Sequence, residues 1–178
     1  MISINLYNFY AQNVINMEGL FYDCKSLKNI YLSNFETEKV NNIKNMFSGC
    51  ESLISINLSN FNIQNVTNME GLFNRCKSLI NLELFNLNTE KIIKINNLFD
   101  GCESLIDIFL GNFEVKNIIE MKDLFNDCNS LKKIFVSNCN SETKIEIKKI
   151  LHQSLPFNKI RIEIYKDNFK KLHKYLNY

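Results

Sequence analysis

Five cysteines recur at one fixed interval: Cys24, Cys50, Cys76, Cys102 and Cys128 each stand 26 residues after the last. The same step links Phe21, Phe47, Phe73, Phe99 and Phe125, and also Leu27, Leu53, Leu79, Leu105 and Leu131. It links Asn8, Asn34, Asn60, Asn86, Asn112 and Asn138 as well. Self-similarity at this period marks an array whose units each cover the hydrophobic face of the next. The expected architecture is therefore an α/β repeat solenoid.

One unit reads as two halves. Leu27, Ile30 and Leu32 are apolar, and Ile30-x-Leu32 alternates with polar neighbours as a half-buried strand does. The equivalent pairs are Ile4/Leu6, Ile56/Leu58, Leu82/Leu84, Ile108/Leu110 and Ile134/Val136. A turn around Asn34 and Phe35 follows. Val40, Ile43, Met46, Phe47 and Cys50 then fall three or four apart, which predicts a short amphipathic helix. Gly49 and Gly101 precede their cysteines, where a helix commonly ends in a left-handed residue. Stacked units of this kind place a parallel sheet on one face and short helices on the other. The asparagine column reads as a ladder that pairs turn backbone, and the Phe21 column as a spine.

With 46% apolar residues the 178-residue chain can bury a continuous core, and one proline and five glycines leave no Pro/Gly linker. The apolar runs are too short to span a bilayer, and Met1–Asn8 has no signal-peptide pattern. Through Cys139 twelve Lys and Arg face fifteen Asp and Glu; beyond it nine face four. The body is mildly acidic and the tail basic. Cysteines in one stacked column lie about 5 Å apart with parallel Cβ bonds, a poor geometry for disulfides. Free thiols filling a core column are the simpler reading. No CxxC pair occurs, so neither a metal site nor a cofactor is expected.

Asn60-Phe61-Asn62-Ile63-Gln64-Asn65-Val66-Thr67-Asn68-Met69-Glu70-Gly71-Leu72-Phe73-Asn74-Arg75-Cys76-Lys77-Ser78-Leu79 closely resembles the repeat of bacterial surface proteins, the BspA-like class of leucine-rich repeats. The resemblance covers about three-quarters of the chain, through Cys139. It implies a leucine-rich-repeat right-handed stack, displayed at the cell surface or outside the cell and engaged in adhesion. It implies no catalytic residues. Family members commonly carry a secretion signal and an anchor; neither is seen here, so an internal piece of a longer product or a cytoplasmic protein are the alternatives.

Residues 1–139 are read as about five 26-residue repeats and 140–178 as a non-repeat cap. In the cap, Ile145 to Leu155 suggest a helix, Ile160, Ile162 and Ile164 a strand, and Asp167 the N-cap of a last helix. Lys148, Lys149, Lys159, Lys166, Lys170, Lys171 and Lys174 read as the solvated face of this helix–strand–helix cap; contact with an anionic membrane or nucleic acid is the sharper alternative, which no spacing favours. At the other end, residues 1–7 read as an uncapped strand open to self-association.

The outward strand positions offer the candidate partner-binding face: Tyr7, Tyr31, Phe85, Phe109 and Phe135 among asparagines and serines. A protein or glycan ligand suits it, and nucleic acid is not expected. The leading function is a non-enzymatic adhesion-type scaffold; a structural spacer or an intracellular protein-binding module are the alternatives. Enzymatic activity is not expected, because His152 and His173 both lie in the cap and no Gly-rich phosphate loop occurs.

Overall fold

The computed structural model describes residues 2–7, 10–32, 37–58, 61–84, 89–111, 117–137, 145–146, 148–149 and 160–165. Six strands run in chain order: β1 (Ile2–Asn5), β2 (Leu27–Tyr31), β3 (Asn81–Glu83), β4 (Asp107–Leu110), β5 (Lys133–Ser137) and β6 (Arg161–Tyr165). All pairings are parallel, β1 with β2 in one sheet and β3-β4-β5-β6 in another. Ile4 pairs with Ile30, Leu82 with Ile108 and Ile108 with Ile134, so each partner lies 26 residues on. The chain therefore climbs one strand spacing, about 4.8 Å, per repeat. We number these coils one to five over residues 1–26, 27–52, 53–78, 79–104 and 105–130. In coil three the strand shrinks to a bridge between Asn57 and Glu83, which separates the two sheets.

In-register stacking puts like side chains over like. The rings of Phe21, Phe47, Phe73, Phe99 and Phe125 stack with centroids 5.4, 5.8, 6.1 and 5.4 Å apart. The separations lie within the range where aromatic pairs add to simple burial. Leu27, Leu53, Leu79, Leu105 and Leu131 are buried beside them, as are Cys50, Cys76, Cys102 and Cys128. Phe61 is also buried. The asparagine column from Asn8 to Asn138 lies outside the described residues.

The far side of each coil overturns the α/β expectation, for no row of helices is there. Between Met17 and Cys24 the chain makes successive tight turns: Leu20 N–H donates to the Met17 carbonyl, Tyr22 to Gly19 and Cys24 to Phe21. The amides between them leave the coil. Gly19, Phe21 and Asp23 donate to the carbonyls of Lys44, Met46 and Ser48 in the next coil, at 2.9, 2.9 and 2.8 Å. An α-helix would keep every one of these bonds within its own segment.

Two residues per coil hold a left-handed backbone: Gly19 and Asp23, Asn45 and Gly49, Gly71 and Arg75, Asn97 and Gly101, Asp123 and Asp127. Each is third in its turn, the pattern of a type II turn, which requires positive φ there. A left-handed residue every four positions prevents a helix from propagating. The three-and-four spacing of Val40, Ile43, Met46, Phe47 and Cys50 is thus the spacing of turns that repeatedly return a side chain to the core. Gly49 and Gly101 do have positive φ, at 75° and 73°, but they end turns and not helices.

Among the described residues only Ile145, Glu146, Lys148 and Lys149 are helical. The strand expected in the cap exists as β6, yet it joins β5 in parallel and prolongs the sheet. Its register is wider, with Lys133 opposite Arg161 and Ile134 opposite Ile162, 28 residues apart. The helix–strand–helix reading is corrected to this extent. Residues 151–159 and 166–178, which carry its remaining helical segments, lie outside the described residues.

Candidate interaction surface

The cysteine column is chemically quiet. Cys50, Cys76, Cys102 and Cys128 each donate Sγ–H to the carbonyl of Phe21, Phe47, Phe73 or Phe99 in the preceding coil, at 3.0 to 3.2 Å. Burial pushes the Cys50 and Cys128 thiols up to about 12 and raises Cys76 and Cys102 as well. A protonated, buried thiol is a poor nucleophile. Cys24 differs, being only partly buried. His152 and His173 lie outside the described residues, and no group of metal-holding side chains occurs among those described.

The outward face of the strands is polar and neutral over the first four coils. Ser3, Asn5, Ser55, Asn57 and Asn81 are exposed there, and Asn29 Nδ2 donates to Ser3 Oγ at 3.3 Å. Onto this surface Tyr7 and Tyr31 project, 55% and 54% exposed. Phe109 and Phe135 occupy an outward column too, but they are only 3% and 8% exposed. They stack face to face at 4.4 Å, with the Lys133 ammonium 5.7 Å from the Phe135 ring and Glu163 of β6 opposite Phe135. Phe85 lies outside the described residues. Of the five aromatics that the sequence places on one face, two are open, two are buried, and their separation along the stack keeps the pairs apart.

Sequence reasoning passed over Tyr10 and Tyr22, which are 74% and 56% exposed. The signal was present in their columns. Tyr10 heads Glu36, Asn62, Asn88 and Glu114, and Tyr22 heads Ser48, Asn74, Asp100 and Asn126. An aromatic in an otherwise polar column is out of keeping with a core role. All four tyrosines among the described residues thus sit in the first two coils and are exposed.

Charge elsewhere is largely self-cancelled. Lys44 pairs with Glu70 at 2.9 Å, Lys94 with Glu120 at 2.7 Å, and Glu51 lies 3.8 Å from Lys25 and 3.3 Å from Lys77. The hydrogen bond from Lys44 to Glu70 raises the lysine's pKa, and that from Lys94 lowers the pKa of Glu120. Such ladders leave little net field along the stack for a polyanion to follow. Among the described residues no helix is long and apolar enough to cross a membrane.

Neither a curated protein nor a solved structure matches the chain. A protein family does, described as "Mycoplasma protein of unknown function, DUF285", over residues 2–108 and again over 95–176. Those two stretches span nearly the whole chain, and the protein belongs to this family.

Proposed function

We propose that the protein is a non-enzymatic binding module that takes a protein or glycan on the outward face of β1 and β2. Tyr7 and Tyr31 supply the contact rings, and Asn5, Asn29, Ser3 and Asn57 the surrounding hydrogen-bonding groups. Exposed aromatics ringed by neutral amides and hydroxyls carry this reading. Such rings give large contact area at a low entropy cost. The likeness of the repeat to BspA-like leucine-rich repeats supports display at the cell surface and a role in adhesion.

The test is a double substitution, Tyr7→Ser with Tyr31→Ser, assayed by pull-down from cell-envelope extract and on a glycan array. Binding is expected to disappear while the far-UV spectrum stays native. Binding that survives the double variant sinks this face. A wild-type protein that captures nothing in either assay supports a spacer instead.

A further inference from the structure

The five coils are of two alternating kinds. Coils one and three carry Asn13/Asn65, Glu18/Glu70, Gly19/Gly71 and Lys25/Lys77, with a side chain at Asp23/Arg75. Coils two and four carry Lys39/Lys91, Lys44/Asn96, Asn45/Asn97, Gly49/Gly101 and Glu51/Glu103 at the same positions. Coil five keeps only part of the pattern: Asn117 follows the first kind, Lys122 the second.

Stacking gives the alternation its cause. Identical coils about 4.8 Å apart would put Lys over Lys and Glu over Glu. Two kinds in alternation convert each such clash into a pair: Lys39 Nζ donates to Asn13 Oδ1 at 2.9 Å, Lys91 to Asn65 at 2.8 Å, and Lys44 meets Glu70. The left-handed positions obey the same rule sterically. The Asp23 carboxylate overhangs Gly49, the Asn45 amide overhangs Gly71, and Arg75 lies over Gly101, so that a Cβ on Gly49 or Gly71 would collide.

Coil one has an open face, and its chemistry can be read from the coils behind it. The amides of Asn41, Thr67, Ile93 and Ile119 each donate at 2.9 Å to the coil before, as do those of Ser52, Ser78 and Ser104 at 3.1 to 3.2 Å. Asn65 and Asn117 donate Nδ2 to the Glu38 and Glu90 carbonyls. The same columns in coil one hold Ile15, Ser26 and Asn13, all exposed, together with the half-buried Cys24. Ile2 and Ile15 remain 53% and 57% exposed, and Ile4, Leu6 and Val14 are only partly covered.

We infer that this face is a docking surface for a 26-residue coil of the second kind, carried by another repeat chain of the same family. Placed there, the equivalents of Lys44, Asn45, Gly49 and Glu51 meet Glu18, Gly19, Asp23 and Lys25. A coil of the first kind sets Glu70 on Glu18, Lys77 on Lys25 and Arg75 on the Cβ of Asp23. A second copy of this protein offers only a first-kind coil at this end, so the rule disfavours self-pairing.

Two fusions test it, each adding one coil in register ahead of Met1 of the full chain. The first adds a copy of residues 27–52 with Cys50→Ala in the copy, and the second a copy of residues 53–78 with Cys76→Ala. Native-state alkylation of Cys24 and the thermal midpoint are the readouts. The first fusion should reduce Cys24 labelling to the rate of Cys50 and raise the midpoint. The second should leave Cys24 labelling near its original rate, and Glu70→Lys, Arg75→Gly and Lys77→Glu in the added copy should restore protection. Equal protection by both fusions, or by neither, overturns the inference. So does Cys24 protection in the unfused chain that grows with its own concentration.

Discussion

A left-handed backbone position tolerates glycine and penalises most other residues by about 1–2 kcal/mol. At Gly71 the φ is +61°, and an added Cβ would run into Asn45 Oδ1. Gly71→Ala should therefore lower the unfolding free energy by about 1–2 kcal/mol in a urea titration. Arg75 is the one left-handed residue that is neither Gly, Asn nor Asp, with φ +57°. Arg75→Gly relieves that strain but frees the unfolded chain, and a net gain of roughly 0.5–1 kcal/mol is expected. The cysteines make a second residue-scale prediction. Folded Cys50 and Cys128 hold their protons to about 12, whereas a thiol of ordinary pKa loses them near 9.0. Their contribution is complete below the lower value and is lost as pH rises toward the upper one. Stability should fall by about 1.4 kcal/mol per pH unit per thiol in that window. Cys50→Ala should flatten the slope by one thiol's share, as read from urea midpoints at stepped alkaline pH.

At the scale of the element, the phenylalanine row is the stiffest part of the coil. Phe73 is fully buried between Phe47 and Phe99. Phe73→Ala should cost about 3–5 kcal/mol, and Phe21→Ala less, because Phe21 has one stacked neighbour and greater exposure. Chemical denaturation of both variants checks the order. The row itself was legible from its 26-residue step. The conformation joining its members was not, since a short helix and a series of type II turns both return an apolar side chain every three or four residues. The deciding clue lay in residue type: a Gly, Asn or Asp on a four-residue step, Gly19 with Asp23 and Asn45 with Gly49, suits turns and breaks helices. The outward aromatics misled for a related reason. Alternation along β4 and β5 places Phe109 and Phe135 on the outer side, but it cannot reveal that they stack on each other with β6 running alongside Phe135.

Across the molecule, each coil is held by its two neighbours and by little else, so stability should grade along the stack. Native-state hydrogen exchange is expected to be fastest in coil one and slowest in coils three and four; the amide of Phe73, bonded to Leu98 O, should outlast that of Phe21, bonded to Met46 O. Uniform protection from Phe21 to Phe99 would contradict this nearest-neighbour picture. Periodicity is enough to establish the 26-residue stack and its core columns, because a repeat this short buries apolar surface only against its copies. Whether the far side is helix or turn, which aromatics meet solvent, and why Lys and Glu alternate from coil to coil are set by where each coil's side chains and amides find partners. Those partners lie one coil away, beyond the reach of any local pattern.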